Sequence, residues 1–234
     1  MIFYVGDIHG YVQDLIRVDQ QAIKEGASHV IQVGDFGARW GGSPCRIHKY
    51  FSGRPEDAPI WITCGGNHDN WNKWFELAEK QGNPDLVELA PGCFWIQRGA
   101  MLTLEGKKHL FLGGTESIDR HHRTEGKSWW RNETPTYQEF SLFAERLETE
   151  KPDIVVTHDA PFRVPMERYA RLDSPTPRNL DNAVRLCGYE PPIWYFGHHH
   201  VTKSWDILGT KYQCCGFEGQ FIRGEECMVP AGKS

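Results

Sequence analysis

The chain has 234 residues, 39 % hydrophobic and 24 % charged, with seven cysteines and a formal net charge of −5 at pH 7. A chain this long buries a core without disulfide staples, and an odd cysteine count with no CxxC pair argues against a disulfide framework. The negative charge disfavours a general nucleic-acid binder, and no apolar run approaches the ~20 residues of a membrane span. Met1-Ile2-Phe3-Tyr4-Val5 runs straight into a motif and leaves no room for a signal peptide, so a soluble, cytoplasmic protein with reduced thiols is expected.

Strand-like and helix-like segments alternate, as in an α/β domain. No repeat, low-complexity tract or linker interrupts them, and residues 1–234 are read as a single domain. Residues 2–6 form an apolar run ending in Gly6. A helix over 12–25 follows, with Leu15, Val18, Ala22 and Ile23 on one face, and Gly26 stops it. The runs 29–33 and 59–64 are strands that end at Gly34-Asp35 and Gly65-Gly66-Asn67, and a helix opens at Trp71. Segments 93–98, 101–105 and 108–112 look like a meander turned near Gly99 and Gly106. A helix over 136–149 carries Phe140, Phe143, Ala144 and Leu147 at helical spacing. The β-branched run 153–157 ends at His158, a helix over 179–187 precedes the strand 193–196, and 204–222 reads as one or two antiparallel strands.

Asp7, Asp35, Asn67, His158 and His198 each follow the carboxyl end of a β-branched or aromatic strand. In open α/β sheets that edge collects ligands, whereas packing alone would not put polar side chains there five times. Asp7-Ile8-His9 and His198-His199-His200 have i, i+2 spacing, which turns the first and third side chains to one side and His199 away. Asn67 offers a neutral carbonyl oxygen. Three histidines in a row after an apolar strand suit metal ligation better than packing.

The D-x-H, G-D, G-N-H-D, T-H and G-H-x-H blocks, in that order over residues 7–200, resemble the calcineurin-like metallophosphoesterases. The resemblance implies a four-layer α/β/β/α sandwich with two mixed β-sheets. It also implies two divalent ions, one held by Asp7, His9, Asp35 and His200, the other by Asp35, Asn67, His158 and His198. The donors are all nitrogen and oxygen, which suits Mn²⁺ first, with Fe, Zn²⁺ or Ni²⁺ as alternatives. The two ions would shift the formal charge from −5 towards −1.

The implied chemistry is in-line attack by a metal-bridging hydroxide on phosphorus. His68 would stabilise or protonate the leaving oxygen, with Asp69 orienting it, and Thr157 and Asp159 are possible supports of the ligands. Arg39 lies where the protein Ser/Thr phosphatase branch of the family grips phosphate. That branch, however, has Asp where this chain has Ala38, and Glu where it has Asp69.

Residues 113–131, GGTESIDRHHRTEGKSWWR, form the core of an expected substrate loop at 113–135. Arg120, His122 and Arg123 are its candidate substrate contacts, and Trp129 or Trp130 could stack a base or simply anchor the loop. Its cations could equally pair with Glu116, Asp119, Glu125 and Glu133. The reading leans towards phosphodiester or nucleotide substrates: a phosphorylated small molecule, a nucleotide or a short single-stranded nucleic acid. No membrane or obligate protein partner is expected. A protein Ser/Thr phosphomonoesterase and a non-catalytic scaffold of the same fold stand as alternatives.

Overall fold

The computed structural model describes residues 1–37, 46–166 and 174–224. Twelve strands are present among them: β1 (Ile2–Val5), β2 (His29–Gln32), β3 (Ile60–Thr63), β4 (Leu86–Ala90), β5 (Cys93–Ile96), β6 (Met101–Leu104), β7 (Lys107–Leu112), β8 (Ile154–Thr157), β9 (Ile193–Phe196), β10 (Thr202–Ile207), β11 (Thr210–Cys215) and β12 (Phe221–Arg223). The helices are α1 (Val12–Lys24), α2 (Arg46–Phe51), α3 (Trp71–Lys80), α4 (Tyr137–Glu150) and α5 (Pro175–Cys187).

The strands form two mixed six-stranded sheets, ordered β12-β1-β2-β3-β5-β4 and β10-β11-β9-β8-β7-β6. The inner strands pair in parallel and the edge strands antiparallel. Strands buried on both faces must be apolar throughout, and Ile2-Phe3-Tyr4-Val5 is buried at every position. Its alternation sorts the side chains: Phe3 and Val5 pack outwards with Leu15, Val18 and Trp71, while Ile2 and Tyr4 pack inwards with Phe111, Val156 and Tyr195 of the second sheet. A third cluster joins Phe143 and Leu147 of α4 and Leu180 and Val184 of α5 to the outer face of the second sheet. The layers are therefore α/β/β/α.

Several details depart from the sequence expectation, among them the tail, which carries three strands with β12 in the other sheet. The 93–112 meander is split, since β5 pairs with β3 and β4 in one sheet while β6 and β7 form a hairpin in the other. Alternating apolar segments joined by short turns read alike whether they share a sheet or change sheets between them. Strand β4 and helix α2 were not expected. Helix α5 begins at Pro175, because proline suits the first helical turn. Ile23 is exposed although its neighbour Ala22 in α1 is buried.

Among the described residues, Cys64, Cys93, Cys187, Cys214 and Cys215 carry free thiols, so the adjacent pair is not bridged. No described helix is long and apolar enough to cross a membrane.

Candidate metal centre

The carboxyl ends of β1, β2, β3, β8 and β9 deliver Asp7, Asp35, Asn67, His158 and His198 to one edge of the sandwich, and the turns after β1 and β9 add His9 and His200. The backbone there is tightly constrained. His9, Asp35, His198 and His200 have φ of 49°, 56°, 65° and 54°, a left-handed region costly for such side chains and concentrated at functional sites. Glycines make the convergence possible. A Cβ on Gly197 would lie 2.3 Å from Asp7 Oδ1, and one on Gly66 would lie 2.3 Å from Asp35 Oδ1.

Asp7, His9 and His200 form one donor group, and Asp35, His158 and His198 another. Asp35 stands between them. Its Oδ2 is 3.6 Å from His9 Nε2, and its Oδ1 is 3.6 Å from His158 Nε2. In the first group His200 Nε2 lies 3.1 Å from both Asp7 Oδ2 and His9 Nε2. In the second, Asn67 Oδ1 lies 3.0 Å from His158 Nε2. His158 Nδ1 faces the carbonyl of Val33 at 2.9 Å. A carbonyl only accepts, so Nδ1 carries a proton and Nε2 is the nitrogen turned to the cleft, the one available to a cation.

Several features fit bound cations. Asp7 is fully buried, and no well-directed hydrogen bond reaches its Oδ2, which faces the imidazoles of His200 and His9 at 3.1 and 3.7 Å. Burial alone would raise its pKa, but the imidazoles of His200 and His9 hold it far below the ordinary carboxylate range. Asp35 is likewise lowered against its burial, first by His158. Burial opposes protonation of His9 and His158, and the two aspartates overcome it and raise both. The buried site thus has a negative field that seeks positive charge. Burial takes His198 down to about 4, which leaves it neutral and able to ligate. With no thiolate in the set, the donors match a borderline or hard divalent ion.

The structure brings all seven predicted metal-site residues together. His199 turns away, as expected, and is buried with its Nε2 3.0 Å from Asp159 Oδ1. His68 lines a cleft of about 200 Å³ beside the donors, with Ile118, Asp119 and Arg123 opposite. Burial lowers its pKa and Arg123 adds to this. The expected contact from Asp69 to His68 is not formed. Asp69 instead accepts from the backbone N–H groups of Gly66, Phe36 and Gly37, and so ties the Asn67 turn to the segment after Asp35. Burial and the charge of Asp35 bring it up to about 7. Carboxylates followed by a helix invite a side-chain role, whereas backbone amides converging from a distant loop leave no mark in sequence.

Of the predicted substrate contacts, only Arg123 lines the cleft; its Nη2 is 2.8 Å from His68 Nε2 and 2.8 Å from Asp119 Oδ2. Arg120 and His122 are exposed on a 3₁₀ turn and do not line it. Trp130 is buried in the core of the first sheet's outer face, so it anchors the loop and offers no stacking face. Arg39 lies outside the described residues.

Ser117 and Arg98, which sequence reasoning did not single out, and Glu133, which it named only as an ion-pair partner, hold the loop to the site. Ser117 accepts from Asn67 Nδ2 at 3.0 Å, and its hydroxyl donates to Glu133 Oε2 at 2.7 Å. Arg98, buried across the ring of Trp71, donates to the carbonyls of Gly113, Asn132 and Glu133. Their spacing of tens of residues offers no local signal; only Glu133, an acid in a basic loop, was a hint, and it suggested ion pairing.

The fold has solved relatives. The protein TT1561 of Thermus thermophilus superposes with a TM-score of 0.61 at 13 % identity, over 93 % of this chain and 89 % of that one. GAP50, the anchor in the inner membrane complex of Plasmodium, gives 0.55 at 13 % identity, over 92 % and 70 %. At such identities the likeness speaks for the fold alone. No curated protein sequence matches the chain. The calcineurin-like phosphoesterase family model, however, matches residues 1–202, the stretch that contains every donor described above, and the chain belongs to that family.

Proposed function

We propose that the protein is a two-metal phosphoester hydrolase whose substrate is a phosphodiester or a nucleotide. The observation that carries this reading is Asp35, a buried carboxylate with one oxygen turned to each of two donor groups. Asp7, His9, Asp35 and His200 would hold one ion, and Asp35, Asn67, His158 and His198 the other, with Mn²⁺ the first choice. When bound, such a pair supplies an activated water for in-line attack and neutralises charge on the phosphoryl oxygens.

His68 and Arg123 act at the leaving side. Arg123 Nη2 donates to His68 Nε2, so the imidazole proton resides on Nδ1. A substrate phosphoryl oxygen is the stronger partner for a guanidinium. Its arrival draws Arg123 off Nε2, and that nitrogen can then take a proton from solvent at the part-exposed ring and pass it to the leaving oxygen. Behind His200, which lines the cleft, Phe217 stacks on its ring and meets Tyr11, 57 % exposed, edge to face at 6.3 Å. This aromatic rim suits a flat group such as a nucleobase. It favours a nucleotide or short single strand over a phosphoprotein.

The test is Mn²⁺-dependent hydrolysis of bis-p-nitrophenyl phosphate and p-nitrophenyl phosphate, with wild type beside Asp35→Asn and bound metal measured on both. Diester turnover that needs Mn²⁺ and disappears in Asp35→Asn supports the proposal. A strong monoester preference would reverse the substrate assignment, and turnover by the metal-free protein would end the two-metal reading.

A further inference from the structure

We infer that Glu133 is a positioning residue of the metal centre: acting through Ser117, it fixes the Asn67 amide with its oxygen turned to the second cation. The inference rests on the two-metal reading above. It follows from a chain of hydrogen bonds in which each donor has one choice. Glu133 is 1 % exposed, and both carboxylate oxygens engage the same residue, Oε1 taking the Ser117 N–H at 2.6 Å and Oε2 the Ser117 hydroxyl at 2.7 Å. Ser117 has a single hydroxyl proton. With that proton given to Glu133, its oxygen can only accept, and it accepts from Asn67 Nδ2 at 3.0 Å and, more distantly, from Arg123 Nη1 at 3.4 Å.

An amide whose nitrogen is held on one side presents its oxygen on the other. Asn67 Oδ1 therefore faces His158 Nε2 at 3.0 Å. The reverse orientation would put an NH₂ group, which cannot ligate, among the donors. Remove the carboxylate and the Ser117 hydroxyl is free to turn and donate to Asn67 Oδ1, an arrangement that stabilises the reversed amide. Glu133 is itself fixed from behind. Its N–H donates to the Trp130 carbonyl at 2.9 Å, and its own carbonyl accepts from buried Arg98 at 2.9 Å. The 113–135 loop thus contributes to the metal centre without contributing a ligand. Groups that orient a ligand in this way tune metal affinity by about 10–100-fold.

The experiment is calorimetric titration of the metal-free proteins with Mn²⁺ alone, comparing wild type, Glu133→Ala, Glu133→Gln and Ser117→Ala, with thermal unfolding of each metal-free protein as the folding control. Wild type should show two binding steps. In Glu133→Ala one step should weaken about 10–100-fold while the other stays within about twofold. Glu133→Gln, which keeps one acceptor for Ser117, should fall between the two. Ser117→Ala should weaken the same step, and combining it with Glu133→Ala should add little, as expected of one shared path. If Glu133→Ala does not fold, Glu133→Gln and Ser117→Ala carry the test. Two steps of wild-type affinity in the folded variants would overturn the inference and leave the two-metal reading standing. Fewer than two steps in wild type would overturn both.

Discussion

Replacing Arg98 by Met should loosen the 113–135 loop and the Asn67 turn together. The guanidinium donates from Nε to the Gly113 carbonyl at 2.9 Å and from Nη2 to those of Asn132 and Glu133 at 2.7 and 2.9 Å, so it closes the neck of the loop. It also pairs with Glu139 at 3.1 Å and lies 3.7 Å from the ring centre of Trp71. Trp71 in turn donates from Nε1 to the Gly66 carbonyl at 2.7 Å. Methionine keeps the apolar stem and removes every one of these donors. Three hydrogen bonds from a charged donor, at about 1.5 kcal/mol each, put the loss near 4.5 kcal/mol, less whatever water recovers at the loop neck. A loss of about 3–4 kcal/mol is a large part of a typical domain's stability but leaves it folded. Urea unfolding measures the loss, and amide exchange locates it: residues 113–135 and the 65–68 turn should lose protection while β8 and β9 keep theirs. Arg98→Lys should recover less than half, since one ammonium cannot serve three carbonyls in a planar fork. A loss below about 1 kcal/mol with unchanged exchange at both segments would refute this account of the loop.

Asp35→Asn removes the charge shared by both donor groups. A unit charge at 4 Å is worth about 4 kcal/mol at an effective dielectric of 20, so activity should fall by about a thousandfold with loss of at least one ion, read by elemental analysis. His68→Ala should lower kcat by about 10²–10⁴-fold and keep the wild-type metal content; full activity would remove the proton-transfer role. Gly197→Ala puts a methyl group 2.3 Å from Asp7 Oδ1 and 2.7 Å from Val33 Cγ2, and should weaken metal binding in titrations and cost the metal-free chain about 1–3 kcal/mol of stability. His109 is buried with its ring 2.7 Å from the Tyr4 hydroxyl and 2.9 Å from the Lys107 carbonyl, and burial brings it from 6.5 down to about 4. The unfolded chain binds this proton more readily, so its contribution to stability is present above 6.5 and is lost as pH falls from 6.5 towards 4, up to about 3 kcal/mol. Denaturant melts at pH 7 and 4.5 should show a smaller drop for His109→Gln than for wild type.

The donors were legible because each obeys a local rule. An apolar run, a glycine or two (a threonine before His158), and then Asp, Asn or His marks five of the candidates, and the i, i+2 spacing from Asp7 and His198 marks His9 and His200. The layer order was implied by the family resemblance, and the alternation of β1 between two cores agrees with it. What sequence could not supply is longer in range. Nothing around Gln97–Ala100 says that the chain changes sheets there. No rule announces left-handed backbone at His9, Asp35, His198 and His200, where the side chain argues against that geometry and only the assembled site supplies the reason. Arg120 and His122 looked like Arg123 in composition. Which of the three reaches the cleft depends on the 3₁₀ turn at Arg120–His122 and on the tie from Arg123 to Asp119.

The loop also changes meaning once its contacts are traced. It holds the turn after β3 at three successive residues. Arg98, at the loop neck, covers Trp71, which binds the Gly66 carbonyl. Ser117 binds the Asn67 amide, and Arg123 binds the His68 imidazole. One candidate metal donor and the candidate proton carrier are therefore set by residues of a segment that composition marks only as a substrate loop. Binding and chemistry cannot then vary independently. A substitution that reshapes 113–135 for a different ester also shifts Asn67 and His68, and grafting a foreign loop here should cost metal affinity before it alters specificity. Variation confined to Arg120–His122, whose side chains are exposed and outside the cleft, escapes that coupling, and is the part of the loop free to adapt to the rest of a substrate.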